Sequence, residues 1–216
     1  MLYLLLKLNI MKRLGDSLFF VIFQLYKFFM EEIRNYFEKS VVMSDRDWER
    51  FSSKLEQQKF SKKQYLINTG QKENYLSFIE KGSVRFYIPG EEDFTFSFSF
   101  AGEFVSAYDS FLTRNPCNYQ IQALEDTVLW RISHQDLNII YDETEIGDRI
   151  GRLASEKLYL SNFRRELSLL TQTAEERYLA LFSEQPDLLK NIPLKYIASY
   201  IGITPQALSR IRRRIS

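Results

Sequence analysis

The sequence predicts an α+β chain in three parts: an N-terminal β-roll of jelly-roll type, one long helix, and a C-terminal all-α, winged-helix-like helix-turn-helix domain. Three observations predict it. Between residues 60 and 133, short runs rich in Phe, Tyr, Ile and Val are closed by glycines. From residue 145 to 170, apolar residues recur at three- and four-residue spacing with no proline. Residues 194–216 meet the packing constraints of two helices joined by a tight turn.

Residues 1–29 are apolar but interrupted by Lys7, Lys12, Arg13, Asp16 and Lys27, so no run reaches the ~18 apolar residues of a spanning helix. No small-residue cleavage site follows, and Asp16 precedes the best apolar stretch, which argues against a signal peptide. An interfacial helix remains open. The plainer expectation is that translation begins at Met30, where "MEEIRNYFEKS" reads as an ordinary amphipathic helix.

The β-roll is expected over residues 30–144. Ser44, three residues before Asp47, reads as the start of a short helix. The period then changes to that of strands in "QYLINTG", "YLSFIEKG", "SVRFYIPG", "DFTFSFSFAG", "NYQIQALE" and "TVLWRIS". In Phe94–Phe100, Phe alternates with Thr or Ser, which predicts four rings on one face and the hydroxyls on the other. About seven or eight such strands suit an antiparallel sandwich or jelly roll. "HQDLNIIYDE" reads as a short helix after them.

Glu145–Leu170 is the expected long helix. Its broad apolar coverage, including Ile150, Leu153, Leu158, Phe163 and Leu167, exceeds what a small β domain can bury, and predicts a homodimer seam. Lys157, Arg164 and Arg165 keep it from being a strict heptad.

Residues 171–216 complete the chain. Counting from Leu194 as position one, the positions that must be apolar hold Ile197, Ile201, Ile203, Leu208 and Ile211. The position where the helices approach is Ala198, and the left-handed turn position is Gly202. Thr204 supplies a cap and Pro205 a first helical residue. The remaining face carries Gln206, Ser209, Arg210 and Arg213, suited to base edges in a major groove. Arg212, Arg214 and Lys195 are placed to meet phosphates.

Charge and composition bound the function. Net charge is +1, yet residues 194–216 carry five cations and no acid. A basic end on an acidic body suits an anionic partner held by that end, here double-stranded DNA. A single Cys, Cys117, excludes an internal disulfide framework and an iron–sulfur ligand set, and fits a reducing cytoplasm. A single His, His134, argues against a metal-dependent cupin enzyme and against His-based catalysis. No catalytic residue, metal or cofactor is expected. Cys117 reads either as a redox switch or as a small buried side chain.

The order β-roll, long helix, helix-turn-helix resembles the CRP/FNR family of bacterial transcription regulators over about residues 40–216. Its most specific pieces are "FIEKGSVRFYI", "GEFV", "QALEDTVLWRIS", "TAEERYLALF" and "IPLKYIASYIGITPQALSRIRRRIS". The resemblance implies a cyclic-nucleotide-binding-like sensor, a homodimer through Glu145–Leu170, and a recognition helix over Pro205–Ile215 reading a pseudo-palindromic site. It implies the transcription machinery as a further partner. The family's recognition Arg falls on Arg210 and its Glu one turn earlier on Gln206, so the half-site differs from the usual one. In the sensor, Gly102 and Glu103 match the ribose-binding Gly-Glu. The arginine that pairs with the cyclic phosphate is replaced, because "NPCNYQ" places Cys117, Asn118 and Tyr119 there. An effector other than cyclic AMP, or none, is therefore expected. The rival reading is a ligand-binding or membrane-associated adaptor with a vestigial helix-turn-helix.

Overall fold

Runs of β-branched and aromatic residues broken by glycine leave little choice but short paired strands, and the computed structural model, which describes residues 16–144 and 146–215, contains eight. They are β1 Glu56–Phe60, β2 Tyr65–Ile67, β3 Tyr75–Lys81, β4 Ser83–Ile88, β5 Phe94–Phe100, β6 Phe104–Val105, β7 Gln120–Ala123 and β8 Thr127–Ser133. Two four-stranded antiparallel sheets result, ordered β1-β8-β3-β6 and β2-β7-β4-β5, with every pair antiparallel. This is the expected roll. β1 was not legible as a strand, since "EQQKF" has four exposed polar residues before Phe60. It sits at a sheet edge, where polar residues are tolerated.

Among the described residues, nine helices accompany the sheets. α1 Asp16–Glu38 and α2 Asp45–Ser52 precede the roll, and α3 Tyr108–Thr113 lies between β6 and β7. α4 His134–Glu143, α5 Gly147–Thr171, α6 Ala174–Glu184, α7 Pro186–Asn191, α8 Leu194–Tyr200 and α9 Pro205–Ile215 follow it. No helix among these residues is long and apolar enough to cross a membrane. Of the N-terminal extension, residues 1–15 lie outside the described residues. From Asp16 onward one helix runs through Met30 without a break, and its second half buries Met30, Ile33 and Phe37 against the roll. The Tyr36 and Phe104 rings meet at 5.0 Å and those of Phe37 and Phe51 at 5.1 Å, both edge to face.

The Phe94–Phe100 strand departs from the expected face pattern. The register of β4 against β5 shifts between Phe86 and Tyr87, which pair with Ser97 and Thr95 and leave Phe96 as an extra residue. A bulge of this kind reverses the alternation. Phe96 turns to the roll's core, meeting Phe86 at 6.0 Å and Tyr119 at 5.0 Å. Phe98 and Phe100 join the C-terminal helices instead, while Phe94 stays exposed and Thr95 and Ser99 are buried. The four rings do not share a face.

α5 begins at Gly147 and ends at Thr171; Glu145, counted into the expected helix, lies outside the described residues. At ~1.5 Å per residue it is about 37 Å long. Ile150 and Leu153 pack on the roll's helical cluster. Beyond them Leu158, Tyr159, Phe163 and Leu167 are exposed, and Leu170 is 75% exposed. One side of the helix thus presents a large apolar surface to solvent.

Candidate nucleic-acid interface

The C-terminal helices form one small core. Ile197 and Ala198 are fully buried on α8, and Ile201, Leu208 and Ile211 close the contact with α9. Ile203 is only half-buried. Tyr178 and Leu181 of α6, with Leu188 of α7 and Ile192, complete the cluster. The turn has the predicted chemistry: Gly202 sits at φ +79°, a backbone region costly for any side chain. The Thr204 hydroxyl accepts the Ala207 N–H at 3.2 Å, capping α9 ahead of Pro205. α6 starts with a reciprocal cap, in which Thr173 Oγ1 accepts the Glu176 N–H and Glu176 Oε2 accepts the Thr173 N–H. The Thr173 N–H and then the Thr173 hydroxyl, both donating to Oε2, hold the exposed Glu176 carboxyl below its ordinary range.

The surface left over by this packing includes the residues singled out from the C-terminal sequence. Lys195, Thr204, Gln206, Ser209, Arg210, Arg212, Arg213 and Arg214 are exposed. Arg210, Arg213 and Arg214 line one groove of about 490 Å³ with Ala207 and, from the start of α6, Ala174. Arg214 therefore stands beside Arg210 and Arg213 rather than apart from them. Its Nη2 donates to Glu175 Oε2 at 2.5 Å, in a pair open to solvent. Three arginines in the last turn of α9 also oppose the negative end of its dipole.

The residues expected to line a ligand pocket in the roll lie on two segments, the β5–β6 turn and the stretch between α3 and β7. Gly102 and Glu103 form the β5–β6 turn, and the exposed Glu103 carboxylate accepts the Phe100 N–H at 3.0 Å. Cys117 is buried in the α3–β7 segment, where its thiol donates to Tyr119 O at 3.2 Å. Burial pushes that thiol up, which favours a packing role over a reactive one. Asn118 is exposed. The Tyr119 hydroxyl donates to Asp109 Oδ1 at 2.5 Å while its ring packs on Phe96. Burial, then the Asp109 bond, raises the phenol well above its ordinary value.

The nearest arginine, Arg114, was not singled out in the sequence. It ends α3 in a left-handed conformation at φ 61°. Its guanidinium donates to Glu73 O at 2.6 Å, Phe111 O at 3.2 Å and Asn74 Oδ1 at 2.6 Å. The buried Glu73 carboxylate in turn accepts N–H groups from Asn74, Tyr75 and, at 3.4 Å, Ala107 at the head of α3. Arg131 stands 3.8 Å from that carboxylate, and burial nonetheless raises the Glu73 pKa.

A second set missed by sequence reasoning joins the helix-turn-helix to β5. Tyr196, Ser199 and Tyr200 stand on the face of α8 away from α9. Ser199 Oγ donates to Asp93 O at 2.7 Å and accepts the Thr95 N–H at 2.8 Å. The Phe98 and Tyr200 rings meet at 5.4 Å. Arg165 of α5 donates to Tyr200 O at 2.8 Å with its guanidinium over the same ring. Arg85, 2% exposed, lies over Tyr87 at 3.7 Å and Tyr196 at 4.0 Å and pairs with Asp93 at 2.9 Å. The sequence signal was there: a lone Arg inside the apolar run "SVRFYI" needs partners when buried.

His134 begins α4 with its ring 4.9 Å from that of Phe111, and burial followed by the Arg114 charge lowers its pKa. Among the described residues no group of three His, Cys, Asp or Glu side chains could hold a metal.

Comparison with known proteins agrees with this architecture. Residues 57–144 match the family described as the cyclic nucleotide-binding domain. No curated protein sequence matches the chain. The c-di-GMP responsive global regulator CLP of Xanthomonas campestris superposes with a TM-score of 0.62 at 17% identity, covering 80% of this chain and 91% of that one. FixK2 of Bradyrhizobium japonicum gives 0.63 at 16% identity, covering 74% and 84%. A protein of Eubacterium rectale assigned to the crp/fnr family gives 0.64 at 16%, covering 80% and 83%. With residues 57–144 matching the cyclic nucleotide-binding domain and 80% of the chain superposing on CLP and on the crp/fnr-family protein, the chain has the CRP/FNR fold.

Proposed function

We propose that this protein is a DNA-binding transcription regulator that acts as a homodimer and reads a pseudo-palindromic site through Pro205–Ile215. The observation that carries it is the exposed face of α9, which holds Gln206, Ser209, Arg210 and Arg213 with no acid on the helix, on two helices locked by a buried core. In this reading Arg210 and Gln206 meet base edges, Arg213 supports them, and Lys195, Arg212 and Arg214 meet phosphates. The unpartnered apolar side of α5 supports pairing with a second copy, which would set two recognition helices a helical turn of DNA apart. Selection of bound sites from random duplex DNA by the purified protein tests the assignment. A two-fold-related consensus is expected, and enrichment of no sequence overturns it.

The roll works, in the same proposal, without cyclic AMP. Arg114 is committed to two carbonyls and an amide oxygen, and the Glu73 carboxylate already takes the Ala107 N–H. A cyclic phosphate brought there meets an anion and no available guanidinium. Calorimetric titration with cyclic AMP is expected to give no micromolar binding; a micromolar isotherm refutes this part alone.

A further inference from the structure

The seat of α8 on β5 has a charged edge. The hairpin between β4 and β5 carries Glu91, Glu92 and Asp93 in succession, and all three line one cleft of about 570 Å³ with Lys195, Thr204 and Pro205. Lys195 and Thr204 are where the reading above brings a phosphate backbone, because the first helix of a helix-turn-helix crosses the backbone and the second enters the groove by its N-terminus. Three carboxylates thus stand beside a track that a polyanion would have to follow.

The hairpin is fastened in that position. Asp93 accepts from Arg85 through its side chain and from Ser199 through its carbonyl. The next-but-one N–H, that of Thr95, donates back to Ser199 Oγ, so one hydroxyl bridges both sides of the hairpin's base. Arg85 lies against both Tyr87 of the roll and Tyr196 of α8, while its Nε and Nη1 are buried without hydrogen-bond partners. A guanidinium left two donors short is a costly group to bury. The contact of the hairpin's base with α8 thus combines the apolar cover of Phe98 and Phe100 with a few polar bonds, one of which leaves a buried guanidinium under-satisfied.

We propose that the β4–β5 hairpin is an autoinhibitory latch, whose carboxylates lie across the phosphate track beside Lys195 and the head of α9, so that duplex DNA is admitted only when hairpin and α8 part. This rests on the DNA-binding reading of α9. Each like-charge contact at ~6 Å in water weakens binding about 3-fold, so neutralising the two tip carboxylates should tighten DNA binding by about 10-fold.

The test uses the full chain and a random-sequence duplex at low salt, followed by fluorescence anisotropy. Glu91→Gln/Glu92→Gln removes the tip charges and keeps Asp93. Glu49→Gln/Glu56→Gln makes the same charge change at exposed positions of α2 and β1, away from the cleft. The hairpin pair should bind about 10-fold more tightly than wild type, and the control pair by less than about 2-fold. Ser199→Ala, which changes no charge, should also tighten binding. Hydrogen exchange at the Thr95 amide should quicken when DNA is added. Equal affinities for the two double variants, or a Thr95 amide equally protected with and without DNA, overturn the latch. Adding Arg210→Ala/Arg213→Ala to the hairpin pair should abolish the gain. Should neither wild type nor any variant hold duplex DNA, the DNA-binding reading falls and the latch with it. Binding by wild type with unchanged hairpin variants overturns the latch alone.

Discussion

Replacing Arg214 with alanine should weaken binding to every duplex alike and flatten its salt dependence. Lys195, Arg212 and Arg214 are the cations assigned to phosphates, so a dimer makes about six such contacts and log K should fall with log salt at a slope of about −5.4. Losing Arg214 from both protomers leaves about four contacts and a slope of about −3.6. Between ~50 and ~200 mM salt, wild type should then lose about 2,000-fold in affinity and the variant only about 150-fold. The Arg214–Glu175 pair must open first, but it is exposed to solvent, and such pairs are worth about 0–1 kcal/mol. Its rupture therefore offsets little, and Glu175→Gln should tighten binding slightly by freeing the arginine. Anisotropy titrations of one random duplex over a salt series measure both slopes. A variant slope equal to wild type, or a loss confined to a selected site, refutes the phosphate assignment.

Arg210→Ala should do the opposite: it should cost about 1–3 kcal/mol on the selected site, relax discrimination at one base pair, and change random-duplex affinity little, as competition binding will read. Phe163→Glu on α5 should turn a dimer into a monomer in sedimentation velocity, since it places a charge in the exposed apolar side. Gly82→Ala should destabilise the roll by about 2–4 kcal/mol in urea, because Gly82 has φ +101° and an added Cβ would lie 2.8 Å from Thr127 Cα. The Asp136 carboxyl is held below its ordinary 3.8 by bonds from Lys54 and then Ser133. Its depressed folded pKa means that its stabilisation is present above about pH 4 and is lost as pH falls through the folded value. Asp136→Asn should therefore narrow the difference between urea midpoints at pH 7 and in acid.

What the sequence disclosed followed the range of the interactions. The helix-turn-helix was legible because its constraints are local: Ala198, Gly202, Thr204 and Pro205 lie within a few residues of their partners, and each has one physical reason to be there. The strand runs were legible for the same reason. The bulge at Phe96 was not, since the sequence alternates without a flaw and only the pairing with Phe86 and Tyr87 breaks the register. Arg114 was passed over because its left-handed backbone and its bonds to Glu73 and Asn74, some 40 residues away, leave no mark in the local pattern. The local roles of the expected ligand residues left no mark either: Gly102 and Glu103 form a hairpin turn, and Cys117 and Tyr119 pack at a strand entry. Ser199 and Asp93 are joined across 106 residues, beyond the reach of any periodicity.

The bulge in β5 makes one strand serve two masters. Phe96 faces the roll's core, while Phe98 and Phe100 are covered only when the last helices are in place. A fragment ending before α6 would carry two uncovered phenylalanines on a sheet and would tend to aggregate. Exchange of the C-terminal helices for those of another protein of this fold will succeed only if the donor brings groups equivalent to Tyr196, Ser199 and Tyr200. The two halves of this molecule are thus not interchangeable cassettes, and mutations in either will be screened by the other.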